Sequence, residues 1–222
     1  MKNHYNLDRS MNVNNIFNNN RLSLTDSLEA GRSITLGVDY KKEQIEDVNK
    51  FFEFKLATVI RDKEENFIPK KTTLNKKTSN IFGSISNNFI EFLDLKYNFA
   101  IDNDLTTLES NNFIAELTFN NFTTNLNFVE ESNEMGNSNY IESDTSFNFN
   151  ENNSLTFKTR RNRKLNLTEY YDLVYEYKND CLTAGIKYKK TYYEDRDLKP
   201  AENIFFTINL IPLTNYEQKI DK

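Results

Sequence analysis

Period-two alternation constrains this chain more than any other feature of its sequence, and it is plainest over Leu167 to Tyr192, which reads LTEYYDLVYEYKNDCLTAGIKYKKTY. Tyr171, Leu173, Tyr175 and Tyr177 alternate with Asp172, Val174, Glu176 and Lys178. Asn179-Asp180 then turns the chain, and Leu182, Ala184, Ile186 and Tyr188 alternate with Thr183, Gly185, Lys187 and Lys189. Successive strand residues point to opposite faces, so both arms of this hairpin carry one apolar face and one charged face.

The same period recurs through the chain. Residues 1–31 are polar and irregular and hold Arg21, Asp26, Glu29 and Gly31, with Arg32 just after them. Strands are expected at about Ser33 to Lys41, Phe52 to Arg61, Ser79 to Ser86 (ending at Asn87-Asn88), Leu93 to Ile101, and more weakly Thr106 to Phe119. Further ones follow at Phe122 to Phe128, Ile141 to Phe149 and Leu155 to Thr159, then the two hairpin arms, then Ile204 to Ile211. That makes about eleven strands in an all-β antiparallel meander, with no helix of useful length.

Several of these strands reach nine to twelve residues, beyond the globular mode of about five to six and matched to a tilted bilayer crossing of roughly nine to eleven. The joints alternate in length: Asn87-Asn88, Asn120-Asn121, NENN and Asn179-Asp180 on one side, and 62–78, DND, ESNEMGNS, RRNRKLN and YEDRDLKPAE on the other. With Gly at only 5 residues, Asn serves as the turn former, which its tolerance of left-handed backbone allows. Outer-membrane barrels have short periplasmic turns and longer extracellular loops, so the expected architecture is a partial transmembrane β-barrel. Loop parity then puts Asn179-Asp180 and the C-terminal end on the periplasmic side. In a barrel the apolar face meets lipid, whereas in a soluble sandwich it turns inward; alternation alone does not separate the two. The Tyr and Phe content, 12 and 18 residues, favours the barrel; Tyr40, Tyr97, Tyr171, Tyr177 and Tyr188 fit an interfacial girdle, and each equally fits tyrosine as a generally good strand former.

Composition excludes other classes. Twenty-eight basic and 33 acidic residues are interspersed, which leaves no basic patch for nucleic acid. No apolar run is long enough for a transmembrane helix, and the first residues, MKNHYNLDRS, have no signal-peptide core, so the chain is either cytosolic or a piece of a longer exported protein. The sole histidine, His4, sits in the polar terminus, which argues against a metal or Ser-His site. Glu130-Glu131 reads as a solvated loop pair rather than an acid/base couple, and no Gly-rich phosphate loop is present. No enzyme activity, metal or cofactor is therefore expected. Glu53, Lys55, Asp94, Lys96, Asp172, Glu176, Lys187 and Lys189 share the charged faces and are expected mostly to pair across strands. Cys181 has no partner within the chain.

The stretch NLTEYYDLVYEYKNDCLTAGIKYKKTYYEDRDLKPAENIFFTINLIPLT resembles the C-terminal end of LptD, the lipopolysaccharide-assembly family of the Gram-negative outer membrane. NIFNNNRLSLTDSLEAGRSITLGVDYKKE resembles the same family's loop-plus-strand segment, through Arg21, Asp26, Glu29, Gly31 and Arg32. The resemblance implies that residues 32–222 are the C-terminal segment of a large barrel, with 1–31 an extracellular loop or irregular terminus. It implies transport of lipopolysaccharide into the outer leaflet, with a plug lipoprotein in the lumen, a periplasmic lipopolysaccharide-transport bridge and the barrel-assembly machinery as partners. It further implies that Cys181, at the start of the penultimate strand, bonds a cysteine outside this chain; Asp180 stands where the family has a second cysteine. The last strand, with Ile204, Phe206, Ile208 and Leu210 and with Pro212 just past it, would be one lip of a lateral seam. A soluble or surface-exposed all-β binding module is the alternative on the residues alone.

Overall fold

The computed structural model describes residues 11–19, 21, 22, 29, 31–192, 200–210 and 214–220. Alternating apolar and polar residues, punctuated by Asn-rich turns, form twelve strands. These are β1 (Ser33–Glu43), β2 (Phe51–Arg61), β3 (Ile81–Ile90), β4 (Leu93–Ile101), β5 (Leu108–Phe119) and β6 (Phe122–Glu131). Then come β7 (Asn139–Asn150), β8 (Asn153–Asn162), β9 (Leu167–Lys178), β10 (Leu182–Thr191), β11 (Ala201–Leu210) and β12 (Thr214–Ile220). Their order in the sheet is their order in the chain. The expected all-β antiparallel meander is observed, and the only helices among the described residues are single 3-10 turns at Lys70–Thr72 and Asn133–Met135.

Three expectations are corrected. Among the described residues the count is twelve strands rather than eleven, because TNYEQKI pairs with β11 over Leu210↔Thr214 to Ile204↔Ile220. Tyr216 is its one aromatic residue, too little apolar alternation to signal a strand. β12 turns the chain back to the long-joint side, whereas the loop parity of eleven strands places the C-terminal end on the other. Asn87-Asn88 is not a turn: β3 runs through it with a register shift between Asn87 and Ile90, and the chain reverses at Glu91-Phe92. There Asn87 Oδ1 accepts from the Phe89 backbone N–H at 3.2 Å, so its turn-like chemistry serves the irregularity. Glu130-Glu131 ends β6 rather than lying in a loop.

The chain divides into two compact units, residues 1–113 with 129–138 and residues 114–128 with 139–222. In the first, Leu36, Val38 and Tyr40 of β1 lie opposite Thr58, Leu56 and Phe54 of β2, and Phe54 in turn lies opposite Ile85 of β3. Cross-strand partners share a face, so these residues form one apolar surface. It is the exposed one: Ile34 is 66% and Val38 63% accessible, whereas Arg61 on the opposite face is 5%. Within this surface the Phe99 ring of β4 covers Gly83 of β3, directly opposite it in register. On the short-joint side Lys50 Nζ donates to Glu91 Oε1 at 2.8 Å, and this contact holds the Glu91 carboxyl below the usual carboxylate range.

The second unit repeats the arrangement. Phe147, Leu155, Tyr175, Ile186 and Phe206 stand successively opposite one another from β7 to β11. Ile186 in the middle of β10 is 51% accessible, whereas Asp172 on the other face is 8%. Gly83→Ala is expected to cost about 1–3 kcal/mol, because the new methyl group enters the volume of the Phe99 ring. Unfolding midpoints of the variant and of Gly83→Ala combined with Phe99→Leu check this; the second change should restore part of the loss.

Candidate functional site

In the first unit the polar face of the sheet is not left open. Arg61, Val59, Ala57 and Lys55 alternate inward along β2, and Phe82 and Ala100 continue the row on β3 and β4, since Ala57 pairs with Phe82 and Phe82 with Ala100. The small alanines leave room against the wall. Met11, Val13, Ile16 and Leu22 fill it and join Ala57, Val59, Ile68, Leu74, Phe82, Ala100 and Met135 in one buried apolar cluster. The stretch MNVNNIF has apolar residues at 11, 13, 16 and 17 inside an Asn-rich run, and of these Phe17 is exposed. Its short-range hydrogen bonds, Asn12 N–H to Asn15 Oδ1 at 2.9 Å and Ile16 N–H to Asn12 O at 3.1 Å, make it a compact coil rather than an extended tail.

An ion cluster fastens this segment. Arg21 holds Glu29 in a two-pronged contact, Nε to Oε2 at 2.8 Å and Nη2 to Oε1 at 2.6 Å. Its remaining donors reach Ser33 Oγ at 2.9 Å and Thr35 Oγ1 at 2.8 Å on β1. Glu29 Oε1 also accepts from Arg61 Nη1 at 2.8 Å, and Arg61 lies opposite Ser33 in register. Three residues of the sequence motif thereby find places: Arg21 and Glu29 in the cluster, and Arg32 in an exposed pair with Asp62 at 3.2 Å. Gly31 adopts φ 82°, in the left-handed region that favours glycine. Asp26 and His4 lie outside the described residues. Arg61, the cluster's third charge, went unnoticed in the sequence because it ends an ordinary strand; its charge on the inward parity was the available signal.

In the second unit the polar face carries charges in register. Asp144 lies opposite Lys158, Lys158 opposite Asp172, and Asp172 opposite Lys189, so a row straight across β7 to β10 alternates in sign. Lys158 Nζ reaches Asp144 Oδ2 at 2.5 Å, and Lys187 Nζ, diagonal to the row, reaches Asp172 Oδ2 at 3.2 Å. One step along, Tyr170 Oη donates to Glu142 Oε1 at 2.7 Å, and Arg160 lies 2.9 Å from Glu169 and 3.9 Å from the Tyr140 ring centroid. In the first unit Lys55 contacts Glu53 at 2.9 Å and Asp39 at 3.7 Å. Of the eight charges expected to line this face, Glu53, Lys55, Asp172 and Lys187 thus have ion partners. Asp144, Lys158, Glu142 and Arg160 belong with them, on the parity opposite Ile141, Phe147, Leu155 and Phe157. Such a wall offers many hydrogen-bonding groups with little net charge.

Cys181 is free and exposed in joint 179–181, where Asn179 Oδ1 accepts from the N–H groups of Cys181 at 3.0 Å and Leu182 at 2.8 Å. It precedes β10, which two further strands follow, so it does not open the penultimate strand. Ile204, Phe206, Ile208 and Leu210 share one face of β11, but β11 pairs with β10 and with β12 and is not an edge strand. Pro212 lies outside the described residues. Among the described residues no group of three His, Cys, Asp or Glu side chains is placed to hold a metal ion, and no helix is long and apolar enough to cross a membrane, which says nothing of strands. No family model matches the chain, and no curated protein matches it significantly.

Glu29→Gln should leave the Arg21 and Arg61 guanidinium groups facing one another without their shared carboxylate. A loss of about 3–5 kcal/mol is expected, as for a buried ion cluster deprived of one member. Denaturant titration checks this, with protease cleavage near residue 20 rising in parallel.

Proposed function

We propose that this chain is the C-terminal part of an outer-membrane β-barrel that moves lipopolysaccharide into the outer leaflet, without a catalytic step. One observation carries the membrane part of this reading: in both units residues of the apolar row are widely accessible, Ile34, Val38 and Ile186 among them, while Arg61 and Asp172 on the other face are buried. In water such a surface, continuous over several strands, would be an aggregation site; against lipid it is the low-energy arrangement. Strands of 9 to 12 residues from β1 to β11 suit the crossing length. From β3 onward, joints 91–92, 120–121, 151–152 and 179–181 against 102–107, 132–138 and 163–166 keep the alternation of short turns and longer loops; the β1–β2 joint, 44–50, is longer than its side's other turns. A soluble binding module would have to hide the apolar row in water.

The cargo rests on the likeness of residues 15–43 and 166–214 to the LptD family. In that reading the charged row of β7 to β10 faces a hydrated interior that the sugar and phosphate groups of the glycolipid cross. The partners are a plug lipoprotein, the periplasmic bridge and the barrel-assembly machinery. Cys181, exposed on the short-turn side, pairs with a cysteine elsewhere in the parent protein. Lateral release belongs to an edge strand, and β11, flanked on both sides, is not one.

Ile186→Arg separates the membrane reading from the soluble one. Near the bilayer midplane the arginine costs about 2–4 kcal/mol, so the full-length protein should lose outer-membrane assembly. An unchanged yield and fold would be the outcome for a water-exposed site. A photoreactive residue replacing Lys158 or Lys189 should give light-dependent lipopolysaccharide adducts; a well-assembled barrel without such adducts would sink the cargo and leave the barrel standing. For Cys181, the mobility difference between oxidised and reduced protein on electrophoresis should disappear in Cys181→Ser.

A further inference from the structure

Phe17 is an apolar ring on the polar side of the first unit. It follows Ile16, which is wholly buried, yet it is itself 57% accessible. The tip of its ring lies against Gly37 of β1, where a Cβ would meet Phe17 Cζ at 2.6 Å and Leu56 O at 2.9 Å. Gly37 has no left-handed backbone to explain it, so the close approach of ring and carbonyl accounts for the glycine. Beside the ring is a cavity of about 290 Å³, with Val13, Asn14, Phe17, Gly37, Asp39 and Lys55 among the residues around it. Asp39 follows Gly37 on the same face of β1. Lys55, opposite Asp39 in register, contacts it at 3.7 Å and Glu53 at 2.9 Å.

We propose that this cavity binds the ring of an uncharged pyranose sugar. A pyranose with equatorial hydroxyls carries C–H groups on its broad faces, and such a face packs on an aromatic ring, whose π face is electron-rich. The accessible part of Phe17 offers that platform. The rim supplies the polar half of the recognition: the exposed Asp39 carboxylate accepts from sugar hydroxyls, Lys55 donates to them, and the Asn14 carboxamide, which has no partner among the described residues, does both. Charge selects against other ligands. One ammonium stands between two carboxylates, so a phosphate meets net negative charge, and a ligand ammonium meets Lys55 already beside Asp39. The volume is just under the roughly 300–1,000 Å³ of small-molecule pockets, which suits one ring, so a longer glycan would enter by its end. The site uses side chains of the first unit alone. It therefore stands apart from the lipopolysaccharide reading, and would serve a soluble binding module as well as the wall of a barrel.

The test is saturation-transfer NMR on the folded full chain, in a detergent without a sugar headgroup. Methyl β-D-glucopyranoside and methyl β-D-galactopyranoside serve as free sugars, and cellotriose as the end of a glycan. At least one should show transfer, strongest at the ring C–H protons, and titrate in the millimolar range. Phe17→Leu fills most of the volume without an aromatic face and should weaken binding about tenfold, whereas Phe17→Tyr keeps the face and should keep the binding. Asp39→Asn should weaken it several-fold. Phe67→Leu, at a ring 96% accessible in the 62–80 joint, should change nothing. Tighter binding of cellotriose than of the methyl glucoside would support the site with a glycan end as its ligand, and the reverse would support it with a free sugar. No transfer from any of the three, binding by Phe17→Leu equal to that of the wild type, an equal loss in Phe67→Leu, or displacement of the sugar by inorganic phosphate would overturn the proposal.

Discussion

Everything in this molecule depends on cross-strand register. Because partners in an antiparallel pair share a face, fixing Ser33 opposite Arg61 fixes the side on which each residue of β1 and β2 stands, and every later strand inherits its parity from the one before. A slip of one residue anywhere would exchange the apolar and charged rows. The register is held by features of the two faces themselves. On one face Phe99 fits only over Gly83; on the other, Lys158 finds Asp144 and Asp172 only if three strands keep step.

Much of this was legible in the sequence. Period-two alternation located every strand that carries an apolar row, and Asn120-Asn121 and Asn179-Asp180 marked their turns. What misled were residues whose local chemistry is the same in two settings. Asn87-Asn88 has the composition of a turn, yet here its side chain serves an irregularity within a continuing strand. TNYEQKI has so few apolar residues that only its pairing with β11 makes it a strand. Which face is accessible was not legible at all, because alternation is symmetric under exchange of inside and outside; it took the exposure of Ile34, Val38 and Ile186 against the burial of Arg61 and Asp172 to decide it.

The candidate site was legible in part. Charges on the inner parity could be named, and several are ion-paired, but no strand pattern pointed directly to Met11, Val13, Ile16 and Leu22 as the lining of the first unit. The clue was indirect: Ala57 and Ala100 are small where a free polar wall would carry long charged side chains. An apolar, recessed stretch of the otherwise polar face implies a segment that fills it, and Met11, Val13, Ile16 and Leu22 are that segment.

The sequential strand order bears on how the chain folds. Every strand pairs with its neighbour in sequence, and most neighbours are separated by a handful of residues, so each pairing closes a small loop and the entropy of closure is met one turn at a time. The Asn residues at the short turns extend this: Asn121 Nδ2 donates to Asn148 O, and Asn152 Nδ2 to Lys178 O, at 2.9 and 2.7 Å. Each completed hairpin thus holds out a donor for the carbonyl of the strand that arrives next. Growth by successive hairpins, with every new strand templated by its predecessor, needs no distant contact before the sheet is long.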